Sequence, residues 1–200
     1  MKVMCRLYID DKVVQDFQSR SFVKGFMFTL YSMLSFANTT LLDITNTSKT
    51  TSVNMYGNFY ASGCGSNSRN PHNLSQNDNT TFSLCTDNGI QIGTGTNVVT
   101  PTDYALQTQI ASGTSATQME YFSSGVLNAV TVSGSNASFA VERIFRNSSS
   151  GSITVNEVGL YGTMNGSVAD DHFQFIRDIV SGGQVVADGE YLRVIYTVQI

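Results

Sequence analysis

One carboxylate stands where the sequence otherwise predicts a hydrophobic core. The stretch SITVNEVGLYG, residues 152–162, alternates as a β-strand does and places Glu157 on one face with Ile153, Val155 and Tyr161. A carboxylate in such a position can act as a catalytic acid, ligate a metal ion or belong to a buried ion pair. These roles imply different kinds of protein, so the rest of the sequence has to decide among them.

Two arginines occur in the same kind of setting. Alternation places Arg143 and Arg177 each on an otherwise apolar face of a predicted strand. A lone buried charge is costly, whereas a hydrogen-bonded pair is tolerated, and a planar guanidinium group can hold a carboxylate with two parallel bonds. We therefore predict that Glu157 is the buried ion-pair partner of Arg143, Arg177 or both, inside a β-sandwich. The pattern leaves open that one of these faces points to solvent or to a subunit interface. The apolar neighbours are Phe139, Val141, Phe145, Phe173, Phe175 and Ile179.

Other arrangements of reactive residues are sparse. His72 and His172 lack the spacing of transition-metal ligands, and the adjacent pair Asp170 and Asp171 is more typical of a solvated turn than of a calcium site. The segment GTGTNV has neither the third glycine nor the following helix of a dinucleotide-binding loop, and no G-x-S-x-G motif occurs. The sequence leaves open whether two carboxylates face each other as in a glycosidase. We expect no catalytic residues, no metal site and no cofactor.

Composition and charge narrow the possible functions of the protein further. Only 13% of the residues are charged, the net charge is −4, and the cations are scattered singly, which argues against nucleic-acid binding. We find neither a signal-peptide core nor an apolar stretch of membrane-spanning length, so we expect a soluble protein made in a cytoplasm. Cys5, Cys64 and Cys85 form no C-x-x-C motif and are expected to be reduced, although the sequence leaves open whether Cys64 pairs with Cys85.

The chain as a whole is predicted to be mainly β. We expect a single domain, residues 1–200, folded as an antiparallel β-sandwich of jelly-roll type. One α-helix, about 21–36, begins after Ser19 or Ser21 as N-cap and packs on a sheet through one apolar face. The strands are predicted at 2–9, 13–17, 89–93, 117–122, 126–132, 137–146, 152–162, 172–180 and 190–199.

A long polar stretch interrupts this pattern. Residues 57–88 are rich in Asn, Ser and Gly, and few apolar side chains there can offset the cost of fixing the backbone. We predict a surface excursion that partners order, with Asn58, Phe59 and Tyr60 as candidate contact residues.

Several segments in a fixed order resemble a known group of proteins. RSFVKGFMFTLYSML precedes IQIGTGTNVVTPTDYALQTQI, which is followed by FAVERIFRNSSSGSITVNEVGLYG, FIRDIV and VVADGEYLRVIYTVQI. This series resembles tailed-bacteriophage virion structural proteins, which share a G-T-G-T segment before a D-x-A-L motif, an E-x-G-L-Y strand, an R-D strand and a final G-E/D-x-L-x-V-x-Y strand. The likeness covers most of residues 89–200 and, more weakly, 12–36.

The resemblance implies a non-enzymatic role in the virion and carries over no catalytic residues. It favours a capsid decoration or cement protein, assembled in the host cytoplasm and bound as a homotrimer to the major capsid protein on the capsid surface. A neck or tail component, such as a fibre base or adaptor, and a host-receptor or glycan-binding module are the alternatives. The strand-like C-terminus, LRVIYTVQI, needs a neighbour in its own sheet or in another subunit, so oligomerisation without a disulfide is expected.

Overall fold

The computed structural model describes residues 1–19, 21–35, 39–51, 89–126, 130–165 and 170–200. The predictions for the 57–88 excursion, for the contact residues Asn58, Phe59 and Tyr60, and for His72, Cys64 and Cys85 lie outside these residues.

The helix is α1 (Lys24–Ser35), and the strands are β1 (Lys2–Ile9), β2 (Lys12–Ser19), β3 (Thr39–Leu42), β4 (Ser48–Thr51), β5 (Gly89–Gly93), β6 (Glu120–Val126), β7 (Thr131–Ser133), β8 (Asn136–Arg146), β9 (Ile153–Asn165), β10 (Asp170–Val186) and β11 (Tyr191–Gln199).

The larger sheet joins the two ends of the chain. Its strands follow the order β2-β1-β11-β8-β6, with β7 also paired to β8, and all pairs are antiparallel. The C-terminal strand β11 lies between β1 and β8, and Ile200 exchanges both main-chain hydrogen bonds with Ala137. The strand-like C-terminus therefore finds its neighbour within its own sheet and gives no support to oligomerisation.

The smaller sheet has the order β10-β9-β5 and carries extra main-chain pairing along both edges. Residues 21–23 lie along β10, where Val23 N donates to Phe175 O and Arg177 N donates to Ser21 O. Residues 108–110 lie along β5, where Ile110 N donates to Ile92 O. Covered edges of this kind limit strand pairing with other chains.

The two sheets share one hydrophobic core. Leu7 of β1, Phe145 of β8 and Tyr196 of β11 pack with residues of the smaller sheet such as Val158 and Ile176. The alternation of apolar residues in β1, β8 and β11 places every second side chain in this core. The prediction of a mainly β, antiparallel protein with one short helix is confirmed, while jelly-roll connectivity stays a prediction.

Differences from the predicted elements are local. The helix begins at Lys24 instead of after a Ser19 or Ser21 cap, because residues 21–23 are held extended against β10. Of the predicted strand 126–132, the described residues are Val126, which ends β6, Val130, which lies outside any strand, and residues 131–132, which belong to β7. The β3–β4 hairpin was not predicted; its connecting residues are fixed by Asp43, which accepts hydrogen bonds from Thr45 and Thr47. In the part of the chain that the structure describes, no helix has the length and hydropathy to cross a bilayer.

Candidate functional site

Glu157 is completely buried, but it does not lie between the two sheets. Val155 and Val158 both belong to the shared core, so the inward-facing side of β9 changes between them, where the β9–β10 register also shifts. Glu157 consequently lies on the outer face of the smaller sheet with Tyr161, beneath the irregular segment 94–110. The prediction that Glu157 shares a face with Ile153 and Val155, inside the sandwich, is wrong for this reason.

Four hydrogen bonds hold the Glu157 carboxylate. Oε1 accepts the main-chain N–H of Gly95 at 3.1 Å and that of Thr108 at 2.9 Å, and Oε2 accepts that of Gln107 at 3.1 Å. The fourth donor is Arg177 Nε, 2.8 Å from Oε2. Main-chain donors from both halves of segment 94–110 thus converge on one buried charge, which holds the two halves together.

Arg177 connects this carboxylate to a second one. Its Nη1 lies 2.7 Å from Oδ2 of Asp103, and its Nη2 donates to the carbonyl of Asn97 at 3.2 Å. Asp103 also accepts hydrogen bonds from the N–H and hydroxyl of Thr100 at 3.1 and 2.6 Å. Burial alone would raise the pKa of Asp103, but the bonds from Thr100 and Arg177 outweigh it and lower that pKa. Both carboxylates therefore favour the charged form of Arg177, and they raise its pKa against the opposing effect of burial.

Tyr161 completes the cluster on the same face. Its hydroxyl oxygen accepts hydrogen bonds from Leu106 N at 2.6 Å and from Gln174 Nε2 at 2.7 Å. Burial, with the nearby charge of Glu157 adding to it, raises the pKa of Tyr161 far above its ordinary value. The raised pKa favours the neutral phenol, whose oxygen holds the main chain at Leu106.

The two glycines of the GTGT segment, Gly93 and Gly95, allow the main chain to lie close to the Glu157 carboxylate. A Cβ atom on Gly95 would lie 2.5 Å from Glu157 Oε1 and 2.5 Å from the Cβ of Gln107, and one on Gly93 would lie 2.5 Å from the same Glu157 oxygen. Any larger residue would displace the carboxylate from its donors. The G-x-G spacing therefore serves to pack the chain onto Glu157, not to bind a dinucleotide.

Asp178, next to Arg177, points in the opposite direction, into the shared core. Its two oxygens accept hydrogen bonds from the hydroxyls of Ser19 and Tyr196, each at 3.1 Å. Because Tyr196 and Ser19 belong to the larger sheet and Asp178 to the smaller one, these bonds tie the sheets together. Burial, followed by the nearby charge of Asp178, raises the pKa of the Cys5 thiol and so favours its protonated form.

Of the three residues predicted to form a buried pair, the structure brings Glu157 and Arg177 together and places Arg143 elsewhere. Arg143 lies in the shared core, where Nε and Nη1 donate to the carbonyls of Phe122 and Ile90, both at 2.9 Å, and its guanidinium group lies 5.1 Å from the Tyr121 ring centre. The smaller sheet separates the two arginines, since Arg143 faces its inner side and Glu157 lies on its outer side. Sequence reasoning missed Asp103, Tyr161 and Gly95 as members of the cluster, although each lies in one of the motif segments.

The four donors to the Glu157 carboxylate lie in segment 94–110 and on Arg177, so the cluster ties this segment to the smaller sheet. Among the described residues, no set of three or more His, Cys, Asp or Glu side chains could hold a metal ion. Comparisons of the chain with protein-family models, with curated proteins and with solved structures gave no match.

Proposed function

We propose that this protein is a non-enzymatic structural component of a tailed-bacteriophage virion, a decoration or cement protein that binds the major capsid protein. The observation that carries the proposal is that the motifs behind the phage resemblance meet in one place. The G-T-G-T, D-x-A-L, E-x-G-L-Y and R-D segments supply the members of the cluster and its neighbours, namely Gly95, Asp103, Leu106, Tyr161, Glu157, Arg177 and Asp178.

The non-enzymatic part of the proposal rests on how the carboxylates are used. A general acid or base must exchange protons with a substrate, and its hydrogen bonds have to reach that substrate. Glu157 instead accepts three main-chain donors and one arginine, with its side chain wholly buried. Catalysis at Glu157 would require breaking the bonds that shape segment 94–110.

The energetics of a buried ion pair are consistent with a structural role for the cluster. A buried ion pair gives little stability compared with apolar residues of similar volume, but breaking it is expensive, and in some proteins such groups select a single conformation. We propose the same role for the Glu157–Arg177 pair. Here the conformation that it favours is that of an irregular surface segment on a rigid sheet. A part that has to fit into a repeating shell needs a surface of fixed shape.

Quantitative mass spectrometry of purified virions, with copy numbers normalised to the major capsid protein, tests the proposal. A decoration protein is expected at hundreds of copies per particle. A dozen copies or fewer would move the chain to the neck or tail, and its absence from particles would contradict a virion role altogether. Particles that lack the protein should also lose their DNA at lower temperature than complete particles.

A further inference from the structure

The surface above the buried cluster carries almost no charge. Residues 94–110 contain a single charged side chain, Asp103, which is only 20% exposed and is bound to Arg177. The exposed side chains around it are hydroxyls, amides, Pro101 and Val98, which is 85% exposed. Lys24 lies at the border, where its main-chain N–H donates to Pro101 O. We call the exposed side chains of residues 94–110 the neutral surface.

The opposite side of the molecule, in contrast, carries many charged side chains. The outer face of the larger sheet carries three ion pairs across neighbouring strands: Arg6–Asp16, Arg193–Glu142 and Arg146–Glu120. Both sides are built on sheets of the same sandwich, so the difference is not one of fold. Charged residues are depleted at the core of protein–protein interfaces, and the neutral surface shares this one property.

The neutral surface is also held in one shape. Gly95, Gln107 and Thr108 donate to Glu157, while Asn97 and Asp103 are bound to Arg177. Gln107 Oε1 in turn accepts the main-chain N–H groups of Thr96 and Asn97, at 3.0 and 2.9 Å. A segment fixed in advance loses little conformational freedom on binding, which favours affinity.

The chemistry of this surface fits a second copy of the chain. Two copies each carry a net charge of −4 and repel each other, so they associate best through surface that adds no charge. Different partners commonly attract each other through complementary charges, and residues 94–110 offer none that is exposed and unpaired. Hydroxyl and amide groups both donate and accept hydrogen bonds, so identical surfaces of this composition can bind each other.

From these observations we infer that the neutral surface is the site at which this chain binds a second copy of itself. The inference deepens the proposed function, on which it rests, by naming the surface that would build the oligomer on the capsid.

Sedimentation equilibrium on the full chain tests this inference with the protein alone. We expect association at micromolar concentration that persists or strengthens between about 0.1 and 1 M NaCl, because salt shortens the Debye length from about 10 to about 3 Å and screens the repulsion between copies. Val98→Asp and Val98→Lys should each weaken association by about tenfold or more, since each would bury an unpaired charge. Val13→Asp, which makes the same change at a residue 53% exposed on β2, should leave association within about twofold.

Thermal unfolding of each variant separates a loss of association from a loss of folding. A wild-type chain that stays monomeric, association that salt abolishes, or equal effects at Val13 and Val98 would each overturn the inference. If Val98→Lys strengthened association while Val98→Asp weakened it, the facing surface would be acidic, and that too would contradict the inference. A monomeric chain found at hundreds of copies per virion would reject the inference alone, whereas an oligomer absent from virions would reject the proposed function alone.

Discussion

Arginine–carboxylate ion pairs occur in two regions of this molecule, exposed to water in one and buried in the other. On the outer face of the larger sheet, Arg6 and Asp16 lie 2.7 Å apart with side chains 46% and 38% exposed. Above the smaller sheet, Arg177 and Glu157 lie 2.8 Å apart with side chains 3% and 0% exposed. The distances are alike, so the difference between the two pairs comes from water and not from contact geometry.

Water determines what each pair can contribute. The charges of an exposed pair are well solvated whether or not they form the pair, so the pair contributes only about 0–1 kcal/mol to the stability of the protein. A buried pair has lost its hydration, so each charge depends on its protein partners, and removing one leaves the other uncompensated. The comparison therefore predicts that equivalent substitutions have unequal effects in the two regions.

The largest effect is expected at Glu157. Glu157→Gln leaves Arg177 with only Asp103 as a charged partner and places an NH₂ group among main-chain donors, so it should destabilise the protein by about 3–5 kcal/mol. Urea unfolding at neutral pH measures this value, with Asp16→Asn as the exposed control. A loss below about 1 kcal/mol, the range of exposed pairs, would remove the distinction between the regions.

A steric change should disturb the same cluster without altering its charge. Gly95→Ala brings a methyl group to 2.5 Å from Glu157 Oε1, and the strain of making room should destabilise by about 1–3 kcal/mol. Gly151→Ala is the matched control, because a Cβ atom there would meet nothing within 4 Å. Equal unfolding midpoints for the two variants would show that segment 94–110 yields easily and is not held in one shape.

The pH dependence of stability isolates Asp103. Its pKa is lowered in the folded protein from the ordinary value of 3.8, so its contribution is complete above that value and is lost as pH falls through the folded pKa. Asp103→Asn should destabilise by about 1–3 kcal/mol at neutral pH, and the difference from wild type should shrink below about pH 4. Asp43, whose pKa is also lowered, affects both proteins equally and cancels in the difference. A difference that is constant from neutral pH to about pH 3 would contradict the role assigned to Asp103.

Part of this organisation could be predicted from sequence. Strand and turn patterns predicted β1 and β5 with their observed bounds, and alternation placed Arg143 correctly among the core residues of β8. It also singled out Glu157 and Arg177, because a charge in an apolar strand is visible without any knowledge of pairing. Such features depend only on residues close together in the chain.

The remainder depends on contacts between distant residues. The change of face between Val155 and Val158 arises where β9 and β10 lose register, and alternation read along one strand assumes a regular pleat. Asp103 lies 74 positions from Arg177 in the chain, in an irregular segment where no periodicity applies. The motif segments contain these residues, but only the coordinates show that the residues meet.

The smallest effect is expected at the exposed pair, and it gives the most direct check on the role of water. Asp16→Asn removes the partner of Arg6 on the outer face of the larger sheet, where both side chains remain solvated, so we expect a loss of about 0–1 kcal/mol. Salt should reduce this loss further, because ions screen exposed charges, whereas the loss caused by Glu157→Gln should hardly change between about 0.1 and 1 M NaCl. Urea unfolding of both variants and of the wild type at the two salt concentrations gives the four losses. If the two losses fell in parallel with salt, the Glu157–Arg177 pair would be reached by solvent ions, and the contrast between the two regions would be one of degree only.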